Sequence, residues 1–257
     1  MTKSAKRALR NKVRSHFRHN AVWLTNKLAA QKQTWIAEGS FEAVVQMEQA
    51  VKDMAATLRR MLTAGYRRAF TLHRLIDDTM ADDKARDPAT YERVQCKKGC
   101  DFCCYVHVGV SDDEADLLAR VIADGEVEVD MAKLEEQAKW PSDKWAKEDP
   151  RKRGCVFLDS ETRSCKVYAY RPAACRTYLV VTDPELCRIE IGGPPKNVSS
   201  VCSPSVEILA SAACNIVVKD ETHQSLPAKT LKRLKSLGKR VDPRGKLIDS
   251  EVHALTI

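Results

Sequence analysis

Four cysteines fall within nine residues, CKKGCDFCC at positions 96 to 104, and this stretch constrains the chemistry of the chain more than any other. The chain has 257 residues, enough to bury a hydrophobic core without cross-links. No stretch has the apolar run of a signal peptide or a membrane span, so we expect a cytoplasmic protein. In a reducing compartment, ten cysteines predict a metal or cluster site in preference to disulfides.

The spacing within this stretch is typical of metal ligands. Cys100 and Cys103 are two residues apart, so one tight turn can direct both sulfurs at one ion, and Cys96 lies about one helical turn earlier. Cys104 is adjacent to Cys103, and adjacent side chains point in different directions, so we do not expect the two sulfurs to serve one ion as equals. Cys104 then belongs to a second centre, bridges two metals or is a free thiol beside the site.

Further cysteines follow in the second half of the chain. Cys155 and Cys165 bracket two short β-prone runs around a polar turn, which predicts a hairpin with the two thiols as neighbours. With Cys175 and Cys187, eight thiolates are available for two four-ligand centres. A set of sulfur ligands suits zinc or an iron-sulfur cluster and excludes magnesium or calcium as the main occupant.

Three other candidates receive structural interpretations. His107 stands in a β-prone run, YVHVGV, and we interpret it as a structural histidine. Cys202 and Cys214 lie in a stretch of apolar and small residues, where a free cysteine behaves as a small hydrophobic residue. We therefore interpret both as spare thiols.

The hydrophobic periodicity predicts a mainly α protein with a small β-hairpin. We expect an N-terminal helical hairpin that turns at Gly39-Ser40, followed by a cysteine-rich metal-binding helical domain. Its second helix carries a heptad stripe: Val44, Met47, Val51, Met54, Leu58 and Met61. In the second half, Ser111 and Glu114 predict a capping box for a helix that stops at Gly125.

Changes in composition predict three segments. Residues 1–88 form a basic N-terminal helical hairpin or coiled coil, 89–215 a cysteine-cluster metal-binding domain, and 216–257 a basic C-terminal helix and tail. Within the second segment, residues 139–154 are expected to be an exposed linker. Trp140 and Trp145 are expected to lie over the neighbouring core.

Charge suggests partners but does not choose one. Residues 1 to 37 contain nine lysines and arginines and no acidic residue, so this arm can contact nucleic acid, an acidic protein or an anionic surface. No aromatic stacking platform interrupts the charges, which favours the solvated face of a helix. The heptad stripe is a second candidate contact, for a protein partner, and we expect no membrane partner.

Three stretches carry a resemblance to a known family: CKKGCDFCC, GCVFLD and CKVYAYRPAACRTY. Over about residues 94 to 190 the chain resembles the YkgJ family of cysteine-cluster proteins, the zinc- or iron-chelating domain of CxxCxxCC type. The resemblance implies one ligand group of Cys96, Cys100, Cys103 and Cys104, and a second of Cys155, Cys165 and Cys175, with Cys187 at a less distinctive position. The three-residue gap after Cys96 departs from the two residues of many relatives.

The arginines beside Cys175 have a predicted supporting role. Pro172 sets Arg171 in an extended conformation and suits the first turn of a helix through Cys175. Arg171 and Arg176 can donate hydrogen bonds to thiolates and offset their charge, as residues around a metal site do.

These observations predict a metal-binding cysteine-cluster protein, a chelating or cluster-carrying module. The enzyme that methylates flagellin lysines resembles the same pattern and is associated with an iron-sulfur cluster, which favours iron-sulfur slightly over Zn²⁺. Two alternatives remain: an iron-sulfur-dependent enzyme similar to protein-lysine methyltransferases, and a nucleic-acid-binding protein with structural zinc. A radical enzyme is disfavoured because the chain after Cys104 lacks the strand-helix alternation of a barrel. No catalytic residue is identifiable, and chelation is expected to unfold residues 90 to 215 but not the N-terminal helices.

Overall fold

The computed structural model describes residues 22–61, 63–188, 198–201, 203–216 and 225–238. These residues are predominantly helical with one two-stranded antiparallel hairpin, which confirms the predicted fold class. None of the described helices is long and apolar enough to cross a membrane. The α-helices are α1 Asn26–Glu38, α2 Phe41–Met61, α3 Tyr66–Arg86, α4 Pro88–Glu92, α5 Asp112–Ala123, α6 Met131–Gln137, α7 Ser142–Lys147, α8 Ala173–Arg176, α9 Pro204–Asn215 and α10 Leu226–Leu237.

Three short 3₁₀ helices and one hairpin complete the fold. The 3₁₀ helices are Phe102–Tyr105, Tyr168–Tyr170 and Pro184–Cys187, and the strands are β1 Leu158–Asp159 and β2 Ser164–Cys165. The chain divides into two compact units, one up to Met61 together with Glu207–Ile216 and the other Leu62–Val206 with the residues from Val217 on. The three predicted segments, with boundaries near residues 88 and 215, stay a prediction.

The first unit contains the predicted helical hairpin of α1 and α2. Gly39, with φ of 81°, ends α1, and α2 begins two residues later. The buried face of α2 departs from the predicted stripe at its C-terminal half, where Met54 and Met61 are exposed and Ala55 is buried. A straight helix repeats every 3.6 residues and not every 3.5, so a heptad stripe drifts by about 20° per heptad, which turns Met54 and Met61 away from the buried face. The predicted basic arm before residue 22 lies outside the described residues.

The second unit is built around α3, α5 and α10. Its core contains Leu117, Leu118 and Val121 from α5. Asp113 and Asp116 of α5 accept hydrogen bonds from the first amides of α3, at Gly65 (2.9 Å) and Tyr66 (3.0 Å). This satisfies donors that a helix N-terminus otherwise leaves unpaired, and it fixes α3 on α5.

Both predicted boundaries of α5 are confirmed. Ser111 and Glu114 form the reciprocal capping box, and the helix ends at Ala123, two residues before Gly125. The C-terminal helix α10 starts with Pro227 in its first turn, and its lysine Lys229 forms an ion pair of 3.2 Å with Asp112 at the start of α5. The rest of the predicted basic C-terminal helix and tail, after residue 238, lies outside the described residues.

The stretch 139–154 exposes most of its charged residues and buries both tryptophans, as predicted, but it is not without regular structure. It contains α7, and Trp140 and Trp145 are buried with their rings edge to face, 5.1 Å apart. The charged side chains around the two tryptophans remain in contact with water, while the two indole rings are removed from it. Burial of this apolar area stabilises the stretch against the second unit, despite its polar composition.

Candidate metal centre

Backbone hydrogen bonds hold the CKKGCDFCC stretch against two distant segments. The amide of Gln95 donates to the carbonyl of Val180 (2.9 Å), and the amide of Cys155 donates to the carbonyl of Cys104 (2.8 Å). Within the stretch, Gly99 has φ of 86°, a conformation that glycine adopts without steric cost. The stretch therefore meets residues 155 and 180 at its two ends.

The predicted hairpin positions Cys155 and Cys165. Strand β1 pairs with β2 in the register Leu158 to Cys165, and the carboxylate of Asp159 accepts from the amides of two turn residues. Burial raises the pKa of Cys155 to about 11, and the charge of Cys165 adds to this effect. The two thiols are therefore electrostatic neighbours, as the sequence predicted.

One set of thiols, called the first thiol group below, combines three cysteines of the CKKGCDFCC stretch with Cys187. Burial raises the pKa of Cys187 to about 11, and the charges of Cys96, Cys103 and Cys100 raise it further. Burial also raises the pKa of Cys100, to which Cys96 and Cys103 again contribute. The 3₁₀ helix that ends at Cys187 packs against the one that contains Cys103.

The second thiol group combines Cys104 with Cys155, Cys165 and Cys175. Burial raises the pKa of Cys175 well above its ordinary value, and charges on Cys103, Cys155 and Cys165 act in the same direction. The pKa of Cys104 is raised as well, first by its hydrogen bond to Cys103 and then by burial and the neighbouring thiols. The charge of Cys103 thus reaches members of both groups.

Cys103 and Cys104 have unequal roles. The pKa of Cys103 is lowered, chiefly because the Cys104 thiol donates a hydrogen bond to its sulfur, whereas the donor Cys104 becomes harder to ionise. The sulfurs of these adjacent residues therefore lie together, closer than their backbone directions suggested, because rotation about the Cα–Cβ bonds can bring them into contact.

Backbone amides support the thiols as anions. The Val180 amide donates to the Cys96 sulfur at 3.3 Å. Cys100, Cys155 and Cys165 each accept from the amide two residues further on, which lowers the pKa of each sulfur against the larger, opposing effect of burial. Hydrogen bonds of this kind favour the charged form of a sulfur, the form that binds metal.

Arg171 is the cation that acts on the largest number of these thiols. The pKa of Cys103 is changed most by its hydrogen bond to Cys104, and the pKa values of Cys165 and Cys175 are changed most by burial. The charge of Arg171 lowers the pKa of all three. Its Nε is buried without a hydrogen-bond partner in the described residues, so this donor is available to a sulfur or to a ligand on it.

Arg176 contacts the backbone around Arg171 and Asp77 of α3. Its guanidinium donates to the carbonyl oxygens of Arg171 (2.7 Å) and Ala169 and forms an ion pair with Asp77 of α3. It therefore fixes the backbone that presents Arg171 and not the sulfurs themselves. The assignment of both arginines as supporting residues of a metal site stays a prediction.

Other candidate residues lie elsewhere. The ring of His107 packs edge to face against Trp145 at 6.2 Å, in agreement with a structural histidine, and burial lowers its pKa. Cys214 is in the first unit, and Cys202 lies outside the described residues. The nine cysteines of the described residues are all free thiols. In the same residues, no three His, Cys, Asp or Glu side chains have the geometry of a metal site. The described thiols lie near one another but do not form a coordination sphere.

Glu114 supports the second thiol group in a way that the sequence did not indicate. Beyond its capping role, one carboxylate oxygen accepts from the amide of Ala173 (2.7 Å) and lies 3.2 Å from Nε2 of His73. Ala173 is the first residue of α8, which carries Cys175. No local signal reveals this contact, because the two partners are far apart in sequence.

The Glu114 carboxylate should make stability depend on pH. Burial opposes its charge, but hydrogen bonds from His73, Ala173 and Ser111 outweigh burial and lower its pKa to about 2 from 4.5. A carboxylate with a lowered pKa contributes stability above the unfolded-state value, so this contribution is complete above about pH 5 and is lost as the pH falls towards 2. We expect Glu114→Gln to reduce the free energy of unfolding by roughly 3 kcal/mol at neutral pH and to flatten the acid part of the profile.

Urea titrations at a series of pH values test this expectation. Asp130→Asn is the matched control, because Asp130 is an exposed N-cap of α6 whose side chain also accepts from a backbone amide. It should cost less than about 1 kcal/mol. Equal losses for both variants would contradict a special role for Glu114.

The structure brings cysteine sulfurs near one another beside backbone amides and a guanidinium, which is the donor set typical of the class of thiol-based metal-binding domains. The comparison with protein families agrees with this class. Residues 95–193 match the family model described as "CxxCxxCC: Putative zinc- or iron-chelating domain", which confirms the resemblance drawn from the cysteine pattern. The matched stretch contains all eight cysteines of the two thiol groups. No curated protein and no solved structure matches the chain.

Proposed function

We propose that this protein binds metal through the two thiol groups and acts as a chelating or cluster-carrying module of YkgJ type. The first thiol group, Cys96, Cys100, Cys103 and Cys187, supplies one set of four sulfurs. The second, Cys104, Cys155, Cys165 and Cys175, supplies the other, with Cys103 between them. The free thiols favour a reducing compartment, the cytoplasm.

The observation that carries this proposal is the convergence of eight free thiols from separate parts of the sequence. Each group combines cysteines that precede α5 in sequence with cysteines that follow α6. Neither group therefore results from short spacing along the chain alone. Burial and the charges of neighbouring thiolates raise the pKa of several of these thiols, because ionised sulfurs this close together would repel one another. A bound cation offsets that repulsion and so allows the sulfurs to bind as anions.

The residues present fit a soft metal. Thiolates select zinc and iron-sulfur clusters over magnesium and calcium. When bound, zinc would supply a rigid structural cross-link, and an iron-sulfur cluster would supply electron transfer. This chain's own residues would hold the sulfurs in place, donate amide hydrogens to them and offset their negative charge through Arg171.

Iron-sulfur is the slightly favoured occupant. Amide hydrogen bonds to cysteine sulfurs tune the reduction potential of such clusters, and Cys96, Cys100, Cys155 and Cys165 each accept one. Most of the thiols are half-buried and only Cys187 is buried, so solvent and a metal donor can reach them.

Anaerobic purification followed by elemental analysis, acid-labile sulfide analysis and a visible spectrum tests the proposal. We expect a brown protein with iron and sulfide in similar amounts. A colourless protein that contains zinc would support metal binding and would identify zinc, and not an iron-sulfur cluster, as the bound metal. A protein whose thiols are reduced and accessible but which takes up neither metal contradicts the proposal.

A further inference from the structure

We infer that the surface around the two thiol groups is a docking site for an acidic protein surface. This inference names a partner for the proposed metal site and rests on that proposal for its purpose, but its physical basis is separate. The site, called the thiol rim below, comprises the side chains of Phe102, Arg163, Tyr168, Arg171, Leu186 and Arg188.

The first part of the thiol rim is a ring between two arginines. Phe102 directly precedes Cys103 in sequence, and the guanidinium carbons of Arg163 and Arg188 lie 5.5 and 5.2 Å from its ring centroid. The side chains of these arginines are 50% and 63% exposed, so both cations face water while they cover the ring. Each is presented beside the first thiol group.

The second part lies beside the second thiol group. The Tyr168 residue is 63% exposed, although tyrosine usually buries much of its ring, and the guanidinium of Arg171 stacks on it at 3.8 Å. Leu186, next to Cys187, is 41% exposed. An exposed tyrosine, an exposed leucine and stacked arginines are the residue types that dominate binding energy in protein interfaces.

The charge of this surface selects the partner. Arg163 pairs with Asp101 and Arg188 with Glu185, so these carboxylates are already compensated. Lys97 and Lys98 of the CKKGCDFCC stretch are exposed and have no carboxylate partner among the described residues, so they add positive charge beside the thiol rim. An interface is favoured when its charges meet opposite charges, so the partner should present carboxylates.

A nucleic acid fits this surface less well than a protein. Single-stranded nucleic acids bind by stacking bases on open aromatic faces, but two arginines cover Phe102 and a third stacks on Tyr168. Leu186, 41% exposed, offers a phosphate backbone no polar contact, whereas it can pack against an apolar side chain of a protein partner.

The backbone at Arg163 adds an independent observation. Arg163 has φ of 53°, the left-handed region, and it is the one described residue other than glycine with a positive φ. Glycine or asparagine would adopt this turn conformation at lower cost. The turn therefore accepts strain at the position that presents one of the rim arginines, and such strain is typical of functional positions.

A fluorescence-anisotropy titration tests the inference on the full-length, metal-loaded protein. The probes are a short fluorescein-labelled peptide of Glu, Asp and Leu, its Lys-substituted counterpart, and labelled oligothymidine of similar length. We expect the acidic peptide to bind in preference to both others, and the Arg163→Gln/Arg188→Gln double variant to weaken that binding about tenfold or more. Arg151→Gln is the matched control, an exposed arginine paired with Asp149, and should leave the affinity unchanged.

Metal content is measured on each variant to separate the two proposals. Weak peptide binding by a double variant of normal metal content and circular dichroism supports the thiol rim. Tyr168→Ala, which removes an exposed ring, provides a second variant if the double variant fails to fold. Tighter binding of oligothymidine, equal binding by the wild type and by the rim variants, or an equal effect of Arg151→Gln would overturn the docking site and leave metal binding intact.

Discussion

Replacing Cys103 with serine is expected to remove more metal than replacing any other single cysteine. Its sulfur accepts a hydrogen bond from Cys104, and its charge raises the pKa of Cys187 in the first thiol group and of Cys175 in the second. A serine hydroxyl is a hard, protonated ligand at neutral pH and replaces a thiolate poorly at a soft metal. The Cys103→Ser variant should therefore lose metal from both groups, measured as bound metal per chain by elemental analysis.

The other cysteines provide graded controls. Cys187→Ser should affect only the first thiol group and Cys175→Ser only the second, so each should retain more metal than Cys103→Ser. Cys214→Ser should behave as the wild type, because Cys214 lies in the other compact unit. Unchanged metal content in Cys103→Ser would remove this residue from the set of ligands, and equal losses in all three would contradict its shared position.

Removing the metal is expected to unfold the segments that carry the thiols. A structural zinc site contributes an apparent free energy of about 10 to 16 kcal/mol, which rivals the roughly 5 to 15 kcal/mol of net stability of a whole domain. The thiol-bearing segments contain little regular secondary structure, since the hairpin strands are two residues long and the local helices are single turns. After anaerobic chelation, amides of residues 96–105 and 155–187 should lose their protection from hydrogen exchange.

The helices of the first unit serve as the internal control. α2 buries Val44, Val51 and Leu58 in a unit that contains none of the eight thiols, so its amides should remain protected. Circular dichroism should then show a partial loss of signal. A spectrum and an exchange pattern that do not change on chelation would mean that the metal does not hold these segments. Complete unfolding, α2 included, would contradict the independence of the first unit.

Local features of the fold followed from the sequence. Gly39 ended a helix, Ser111 and Glu114 capped another, and the polar turn between Cys155 and Cys165 formed a hairpin. Each of these outcomes depends on residues within a few positions of one another, which is why pattern and spacing were sufficient. The exposed charges and the two buried tryptophans of the stretch 139–154 were also predicted from the sequence, whereas the helix α7 within it was not.

The association of particular thiols followed from the sequence only in part. The backbone directions of adjacent residues left Cys104 open to a second centre, and the pKa of Cys104 is raised first by the hydrogen bond to Cys103 and by burial, and then by the charges of Cys155 and Cys165. The influence of Cys96, Cys103 and Cys100 on the pKa of Cys187 had no signal in the spacing. Spacing along the chain constrains a turn, but it carries no information on which distant segment packs against it.

The sequence by itself determined the donor chemistry of this protein, ten cysteines, and local elements such as the capped helix α5. Only the tertiary structure decided that Val180 and Cys155 meet the two ends of the CKKGCDFCC stretch, that Glu114 fixes the helix of Cys175, and that Arg163 and Arg188 flank the ring of Phe102. The physical reason is the separation in sequence between the interacting residues. Ligand type and helix periodicity are properties of neighbouring residues, whereas the meeting of sulfurs from residues 96 to 187 depends on packing and hydrogen bonds between segments remote in sequence.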